Sequence, residues 1–276
     1  MSRDESLVIR PAGPADMEAI EEISSLTWEG HDYIHEVAGD WMKSSGFIVA
    51  EQDGRVIGTG RMTPMPGGVL WLEGLRVHPA YQGRGYGRLI SDWLVEEGRR
   101  MIATGESEAM EFSTYKGNSR SISISLKQGF RLVDGFYILY RECDVSLLDD
   151  RIQVSQFEPS FDDFSGYPGH IPCGWKLPLR IPASISWLKG KCNFYTTPDG
   201  TAFYDGGECT FSPAGMIPAS ADSLFGGIDT VVRSHEREYC EMIIHHSRED
   251  LITAARERGY LFWDETDSPN LLVFRL

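Results

Sequence analysis

Leu72-Glu73-Gly74-Leu75-Arg76-Val77-His78-Pro79-Ala80-Tyr81-Gln82-Gly83-Arg84-Gly85-Tyr86-Gly87-Arg88-Leu89 reads as a strand, a short glycine-rich loop and the start of a helix. The strand is expected over residues 69–77. The helix is expected over 86–102, with Tyr86, Leu89, Ile90, Trp93, Leu94 and Met101 in one apolar stripe. Glycines let backbone amides approach a ligand closely, and a helix start adds unpaired N–H donors and a positive dipole end. Such a loop binds a pyrophosphate without a lysine. A Walker loop would need G-x-x-x-x-G-K-[ST], and that lysine is missing here. A dinucleotide-binding G-x-G-x-x-G would need glycine where Arg88 stands and should follow the first strand of a βαβ unit.

Outward from this stretch, strand and helix signals alternate. Residues 7–11 open as a strand, and Pro14-Ala15-Asp16 starts a helix to about residue 27 with Met17, Ile20, Ile23 and Leu26 on one face. Residues 47–52 and 55–62 flank Asp53-Gly54, which supplies the positive φ of a tight hairpin turn. A short strand at 111–114 leads to a helix capped by Asn118, running to 128 and stopped by Gly129. The alternation Ser121-Ile122-Ser123-Ile124-Ser125 would also suit a strand. A last apolar strand covers 136–140. Residues 144–174 are polar and rich in Asp, Ser, Pro and Gly, as in a linker or long connection. Beyond them, 190–211 read as short strands and turns and 228–238 as a helix. Residues 111–130 lie over 241–260 at a constant offset (241 − 111 = 130), and both copies end in Gly-aromatic, Gly129-Phe130 and Gly259-Tyr260. Either a second domain repeats the second half of the first, or the two strand–turn–helix units are independent. The expected domains are 1–145 and 146–276, the second smaller and without a Gln-x-x-Gly-x-Gly.

At 41% hydrophobic and 24% charged residues, the chain suits a soluble globular protein rather than a disordered one. A net charge of −15 repels nucleic acid and is compatible with an amine substrate. The five cysteines are scattered without C-x-x-C, which suggests neither a zinc site nor a disulfide framework. Adjacent His245 and His246 on a strand would point to opposite faces, so no metal is expected. No apolar leader or spanning stretch is evident, and a cytoplasmic protein without membrane contact is expected.

Gln82-x-x-Gly85-x-Gly87, between its strand and its long helix and with Asn118 and Lys127-Gln128-Gly129-Phe130 downstream, resembles the GNAT (Gcn5-related) N-acetyltransferase family over about residues 7–141. The resemblance implies an α/β fold with a mixed, mainly antiparallel sheet flanked by helices, and acetyl-CoA as co-substrate. Gln82, Gly83, Arg84, Gly85, Tyr86, Gly87 and Arg88 would hold its pyrophosphate. Leu75, Arg76 and Val77 would lie along its pantetheine on a splayed strand, and Asn118 would also touch the cofactor. Transfer would be direct, needing no cysteine nucleophile. Glu73 is the expected general base, acting through a water; the alternative is a strand carboxylate paired with Arg61 or Arg76. The tyrosine that serves many family members as general acid corresponds to Lys127, which leaves that role vacant, with Tyr115 and Tyr137 as weak substitutes. His78 reads as a loop residue.

Gly30-His31-Asp32-Tyr33-Ile34, Trp41 and Glu73-Gly74-Leu75-Arg76-Val77 resemble, more narrowly, the histidine N-acetyltransferase-like branch, whose members carry a second domain. That implies a free amino acid or similar small α-amine as acceptor, held by Glu29, Asp32 and Tyr33 near Trp28 and His31. An exposed helix-end acid is the alternative for Glu29 or Asp32. A protein or peptide N-acetyltransferase, and a non-catalytic acyl-CoA-binding sensor, remain the rival functions. The oligomeric state, monomer or homodimer, stays open.

Overall fold

The computed structural model describes residues 7–144, 146, 148, 151–207, 209–215, 220–264 and 268–276. Contacts divide the chain into two compact units, one of residues 1–112, 124–130 and 276, the other of residues 113–123 and 131–275.

In the first unit β1 (Leu7–Pro11), β2 (Phe47–Gln52), β3 (Arg55–Met65) and β4 (Val69–Val77) pair antiparallel in order. Asp53 and Gly54, at φ 51° and 77°, make the expected tight turn between β2 and β3. A 3₁₀ turn at Pro14–Asp16 leads into α1 (Met17–Ser25), and α2 (Ile34–Trp41), which the sequence reading lacks, follows. Ile20, Ile23, Ile34, Ala38 and Trp41 of these helices cluster with Phe47, Val49 and Val56 of the sheet. Leu26, expected on the same face, lies past the end of α1 and is 49% exposed. The long helix α3 (Tyr86–Ala103) packs closely on β3: a Cβ added at Gly58 or Gly60 would meet Ile90 or Leu94 at 2.7 and 2.8 Å. Its buried stripe is Tyr86, Ile90, Leu94, Val95 and Gly98, so the expected stripe is rotated and Leu89 faces outward. The first residues of β5 (Ala109–Tyr115) run parallel to β4, and Met110 exchanges two backbone hydrogen bonds with Leu276, of 3.1 and 2.9 Å.

Strand β4 is irregular in two places. Its ladder with β5 spans only Val69–Trp71 against Ala109–Glu111, leaving Leu72–Val77 without a β5 partner. Its ladder with β3 breaks register between Thr59, opposite Arg76, and Arg61, opposite Glu73. Gly74 sits in that bulge at φ +67°, and a Cβ there would stand 2.8 Å from the Trp41 indole.

The second unit holds β6 (Arg131–Glu142), β7 (Ser155–Gln156), α5 (Pro182–Lys189), β8 (Asn193–Thr196), β9 (Ala202–Asp205), β10 (Thr210–Ala214), α6 (Ala221–Ser234), β11 (Tyr239–His245), α7 (Glu249–Glu257), β12 (Leu261–Phe262) and β13 (Leu271–Arg275). The sheet runs β13-β6-β11-β10-β9-β8-β7, with β12 also on β6 and only β10–β11 parallel. Strand β6 belongs here because it pairs with β11 over seven residues. The helix expected at 228–238 begins earlier, at Ala221, because Ser220 caps it by accepting from the Ser223 amide at 3.2 Å. The polar stretch 144–174 contains residues outside the described set, but its described part is packed: Phe164, Tyr167 and Ile171 are buried, and the Tyr167 hydroxyl donates to the Pro213 carbonyl at 2.6 Å. A composition suited to a linker here covers a sheet.

The internal repeat is physical. Strand β5 at 109–115 and helix α4 (Ser119–Lys127) recur as β11 at 239–245 and α7 at 249–257, bound for bound. Gly129 and Gly259 end the two helices at φ +98° and +82°, each followed by a buried aromatic, Phe130 and Tyr260. The parallel pair β4/β5 with its crossover α3 is matched by β10/β11 with α6. The second unit thus repeats strand and helix elements of the chain's first half. Among the described residues, no helix is long and apolar enough to cross a membrane.

Gly74→Ala is expected to cost about 2–4 kcal/mol, the sum of left-handed strain and overpacking against Trp41. Gly54→Ala, at φ +77° with nothing within 4 Å of the new Cβ, should cost only the strain, about 1–2 kcal/mol. Urea denaturation of the two variants measures the difference.

Candidate active site

The loop after β4 is built to present amides. His78 Nδ1 accepts from the Ala80 amide at 3.1 Å, closing a 3₁₀ turn at Pro79–Tyr81. Gln82 is extended, and its side chain donates to the Val77 carbonyl at 3.0 Å. Gly83 and Gly85 then take φ +78° and +95°, and a Cβ on either would meet nothing within 4 Å. The glycines are thus required for conformation, and the space before the loop is open. The first α3 amides to turn back, Arg88 and Leu89, both reach the Gly85 carbonyl at 3.0 and 3.1 Å. Amides ahead of them fall outside the helical ladder, at the positive end of an 18-residue helix. Arg84 lies 5.4 Å over the Tyr81 ring and Arg88 pairs with Asp92 at 3.4 Å, so two arginines flank the opening. Amides, dipole and guanidinium groups together suit a pyrophosphate. A Cβ added at Gly87 would stand 3.5 Å from Val77 Cγ2. Leu75, Arg76 and Val77 lie on the part of β4 without a β5 partner. Asn118 counts with the second unit, where it bonds Thr114 Oγ1 at 3.3 Å and meets the Ser121 amide at 3.5 Å.

Glu73 is nearly enclosed, with 8% of its side chain exposed. The Thr63 hydroxyl donates to Oε1 in a short hydrogen bond, and Arg61 Nε lies 3.9 Å from the same oxygen. Arg61 donates from Nη2 to Ser44 Oγ at 3.1 Å and stacks 4.5 Å over Trp41. Its Nε and Nη1 are buried without a hydrogen-bond partner among the described residues. Burial pulls its pKa below the usual arginine value, and the Glu73 carboxylate opposes that fall. Desolvation first, and then the Glu73 charge, hold the Tyr33 phenol above its ordinary range, so it is protonated at neutral pH.

The structure places the acceptor-side residues unequally. Asp32 has no exposed side-chain surface: Arg76 donates to Oδ1 from Nε and Nη2 at 3.1 and 2.8 Å, and Ser24 donates to Oδ2 at 3.2 Å. Arg76 in turn lies 4.2 Å over Trp28 and 5.8 Å from the Tyr33 ring. Glu29 is exposed in a 3₁₀ turn at φ +58°. Lys127 is exposed in the last turn of α4. Tyr115 and Tyr137 count with the second unit, where Tyr115 is hydrogen-bonded to Asp264. His78 is buried, with Nε2 at 3.4 Å from Glu22. Arg61 is legible in the sequence only as a partner for Glu73; its unpaired N–H groups have no local signature.

Asp134, His245 and His246 bring one donor atom each within 4.8 Å. Strand β11 ends at His245, so His246 escapes strand alternation and the two rings lie 4.4 Å apart, contrary to the opposite-faces expectation. These groups already bind one another. Asp134 Oδ1 accepts from the Gly135 amide at 2.8 Å and pairs with His245 Nε2 at 2.9 Å, while Oδ2 pairs with His170 Nδ1 at 2.9 Å. Ser247 meets His245 Nδ1 through its hydroxyl at 2.7 Å. Burial would raise the Asp134 pKa, but the histidine hydrogen bonds outweigh it and hold the carboxyl well below its usual range.

Residues 17–130 match the acetyltransferase (GNAT) family. No curated protein matches the chain's sequence. Over nearly its whole length the fold is similar to three solved structures. A GCN5-related N-acetyltransferase from Sphaerobacter thermophilus is 14% identical, with a TM-score of 0.65 over 99% of this chain and 96% of that one. A protein from Thermoplasma acidophilum is 19% identical, with a TM-score of 0.65 over 98% and 99%. A tandem GNAT protein from the clavulanic acid biosynthesis pathway is 11% identical, with a TM-score of 0.64 over 98% of each. At these identities the likeness is one of fold.

Gly85→Asp puts a carboxylate into the open space before the loop, and calorimetry should show acetyl-CoA binding lost. Gly85→Ala carries the same backbone strain without the charge and should bind more weakly than wild type but measurably. Equal binding by Gly85→Asp and wild type would remove the loop from the cofactor site.

Proposed function

We propose, for a chain whose residues 17–130 form a GNAT-family acetyltransferase domain using acetyl-CoA, that the acceptor is the primary amine of a small, amino-acid-like molecule. One observation carries the acceptor class. Glu73 and Arg61 form a buried carboxylate–guanidinium pair in which two Arg61 nitrogens, Nε and Nη1, have no hydrogen-bond partner among the described residues. An amino acid offers the matching charges, an ammonium for Glu73 and a carboxylate for the arginine fork. The residues at 30–34, Trp41 and 73–77 add the finer reading, an acceptor like that of the histidine N-acetyltransferase-like branch.

The chain's own residues divide the work. Bound acetyl-CoA supplies the acetyl group as a thioester. The amides of residues 82–88 hold its pyrophosphate at the start of α3, and the free edge of β4 at Leu75, Arg76 and Val77 aligns its pantetheine arm. Asn118 is proposed as a further cofactor contact. Tyr33, Glu29 and the Arg76–Asp32 pair border the acceptor side. Glu73 takes the ammonium proton through a water, because only the neutral amine has a lone pair with which to attack. At pH 7.5 an α-amine of pKa about 7.7–8.0 is already neutral in roughly a third of molecules, against about one in 800 for a lysine-like amine of pKa about 10.4, so a single carboxylate acting through water suits an α-amine acceptor. Cofactor binding belongs to residues 1–145. Residues 146–276 have no Gln-x-x-Gly-x-Gly and are proposed to bind no acetyl-CoA themselves. A cytoplasmic location completes the reading.

Thiol release measured against a panel of free amino acids (histidine included), plain amines and peptides tests the acceptor. Turnover on peptides alone would overturn the small-acceptor reading, and binding of acetyl-CoA without turnover on any amine would favour a sensor. Glu73→Gln should lower kcat/KM by about 10²–10⁴-fold. The loss should shrink as pH rises and the amine arrives neutral, with acetyl-CoA affinity unchanged. A loss equal at every pH would make Glu73 a brace of the strand. Arg61→Lys keeps the cation but not the fork. It should raise KM about tenfold or more for amino acids and little for amines lacking a carboxylate.

A further inference from the structure

Four of the five cysteines stand in two contacting pairs in the second unit, although they are far apart in sequence. Cys173 and Cys192 are 19 residues apart with sulfurs at 3.4 Å; Cys143 and Cys240 are 97 apart with sulfurs at 3.6 Å. The pairs differ in setting. Cys143 and Cys240 are both buried and fixed in the β6–β11 ladder, where the Cys143 amide donates to Glu238 at 2.7 Å and Cys240 faces Arg141. Cys240 also meets the Tyr260 hydroxyl at 3.4 Å. Cys173 is the one cysteine of the five that is not fully buried. It lies in a turn closed by mutual backbone hydrogen bonds with Lys176, and Cys192 lies between α5 and β8.

We propose that Cys173 and Cys192 are a reversible disulfide-forming site, oxidised by hydrogen peroxide or another hydroperoxide. The sulfurs need to approach by roughly 1.4 Å to reach the bond length of about 2.05 Å. The two thiols share a hydrogen bond and Lys176 and Lys191 add positive charge, so the Cys173 thiol ionises more readily than a free one. Cys192 is pushed the other way and keeps its proton. Cys173, the more exposed of the two, is therefore the thiol that meets the peroxide and attacks it as the thiolate. Its sulfur bonds to one peroxide oxygen as the O–O bond breaks; the departing hydroxide takes a proton and leaves as water, and Cys173 becomes a sulfenic acid. The Cys192 sulfur then attacks the Cys173 sulfur. The S–S bond forms, the S–O bond breaks, and the hydroxyl leaves as a second water with the Cys192 proton. Two thiols are oxidised by two electrons and one peroxide is reduced. A dithiol reverses the bond by exchange. The closed loop runs from residue 173 to 192 and contains α5, so the bond staples that helix to the preceding segment.

The test uses the full chain, reduced, freed of reductant, treated with hydrogen peroxide, blocked with N-ethylmaleimide and digested without reductant. A linked Cys173–Cys192 peptide should appear, and thiols titrated in denaturant should fall from five to three, returning to five with dithiothreitol. Cys173→Ser and Cys192→Ser should each abolish the linked peptide, and Cys143→Ser should leave it unchanged. Five thiols surviving peroxide, a Cys143–Cys240 link forming first, or Cys173 reaching sulfinic acid with Cys192 still free would each overturn the proposal. The wild-type measurement decides it alone if a serine variant fails to fold.

Discussion

Beside the Trp41 indole, β4 has room for only a hydrogen on its backbone at residue 74. That contact ties α2 to the sheet and holds Gly74 in the left-handed region, where the ladder with β3 slips. The slip sets the chemistry of the strand. A one-residue change of register would reverse which face each side chain occupies. With it, Glu73 stands across from Arg61 while Arg76 turns to Asp32. The open β4 edge and the loop at 82–88 continue from the same strand, so the position of the loop amides is referred to this one contact.

Two buried arginine–carboxylate pairs thus lie close together in sequence but differ in kind. Arg76 and Asp32 are saturated, with two guanidinium nitrogens on one oxygen, Ser24 on the other, and aromatic rings around the cation. Removing either partner would strand a buried charge, which makes this pair a support. Arg61 and Glu73 stand 3.9 Å apart with donors to spare. The pair is looser than the first, and its spare donors belong to the arginine.

The sequence shows most clearly what is determined locally. The bounds 69–77 coincide with β4, and the loop and α3 follow, because every determinant lies within one turn of its neighbours. The offset of β11 and α7 from β5 and α4 is equally legible, since it is a property of spacing alone. Helix α2 is not: Ile34, Ala38 and Trp41 are helically spaced, but the element is only eight residues long and interrupted by Gly39. The packed character of residues 151–174 is hidden for another reason, since isolated Phe164, Tyr167 and Ile171 have no period. Asp32 reads as a surface acid until its partner 44 residues on is in place. The cysteine pairs and the unpaired Arg61 nitrogens are likewise tertiary facts.

Leu276 closes hydrogen bonds with Met110, and it belongs by contacts to the first unit. The 276 − 110 = 166 residues from 111 to 276 must therefore leave the ribosome before that edge can be completed. At about 5–20 residues per second this is a wait of roughly 8–33 s, during which the first unit exists with one edge of β5 unpaired. Domains usually mature in the order of their synthesis; here the first to emerge is among the last to be sealed. Its nascent β5 is the kind of exposed edge that invites wrong partners, and a cell making this protein has reason to keep a chaperone near it.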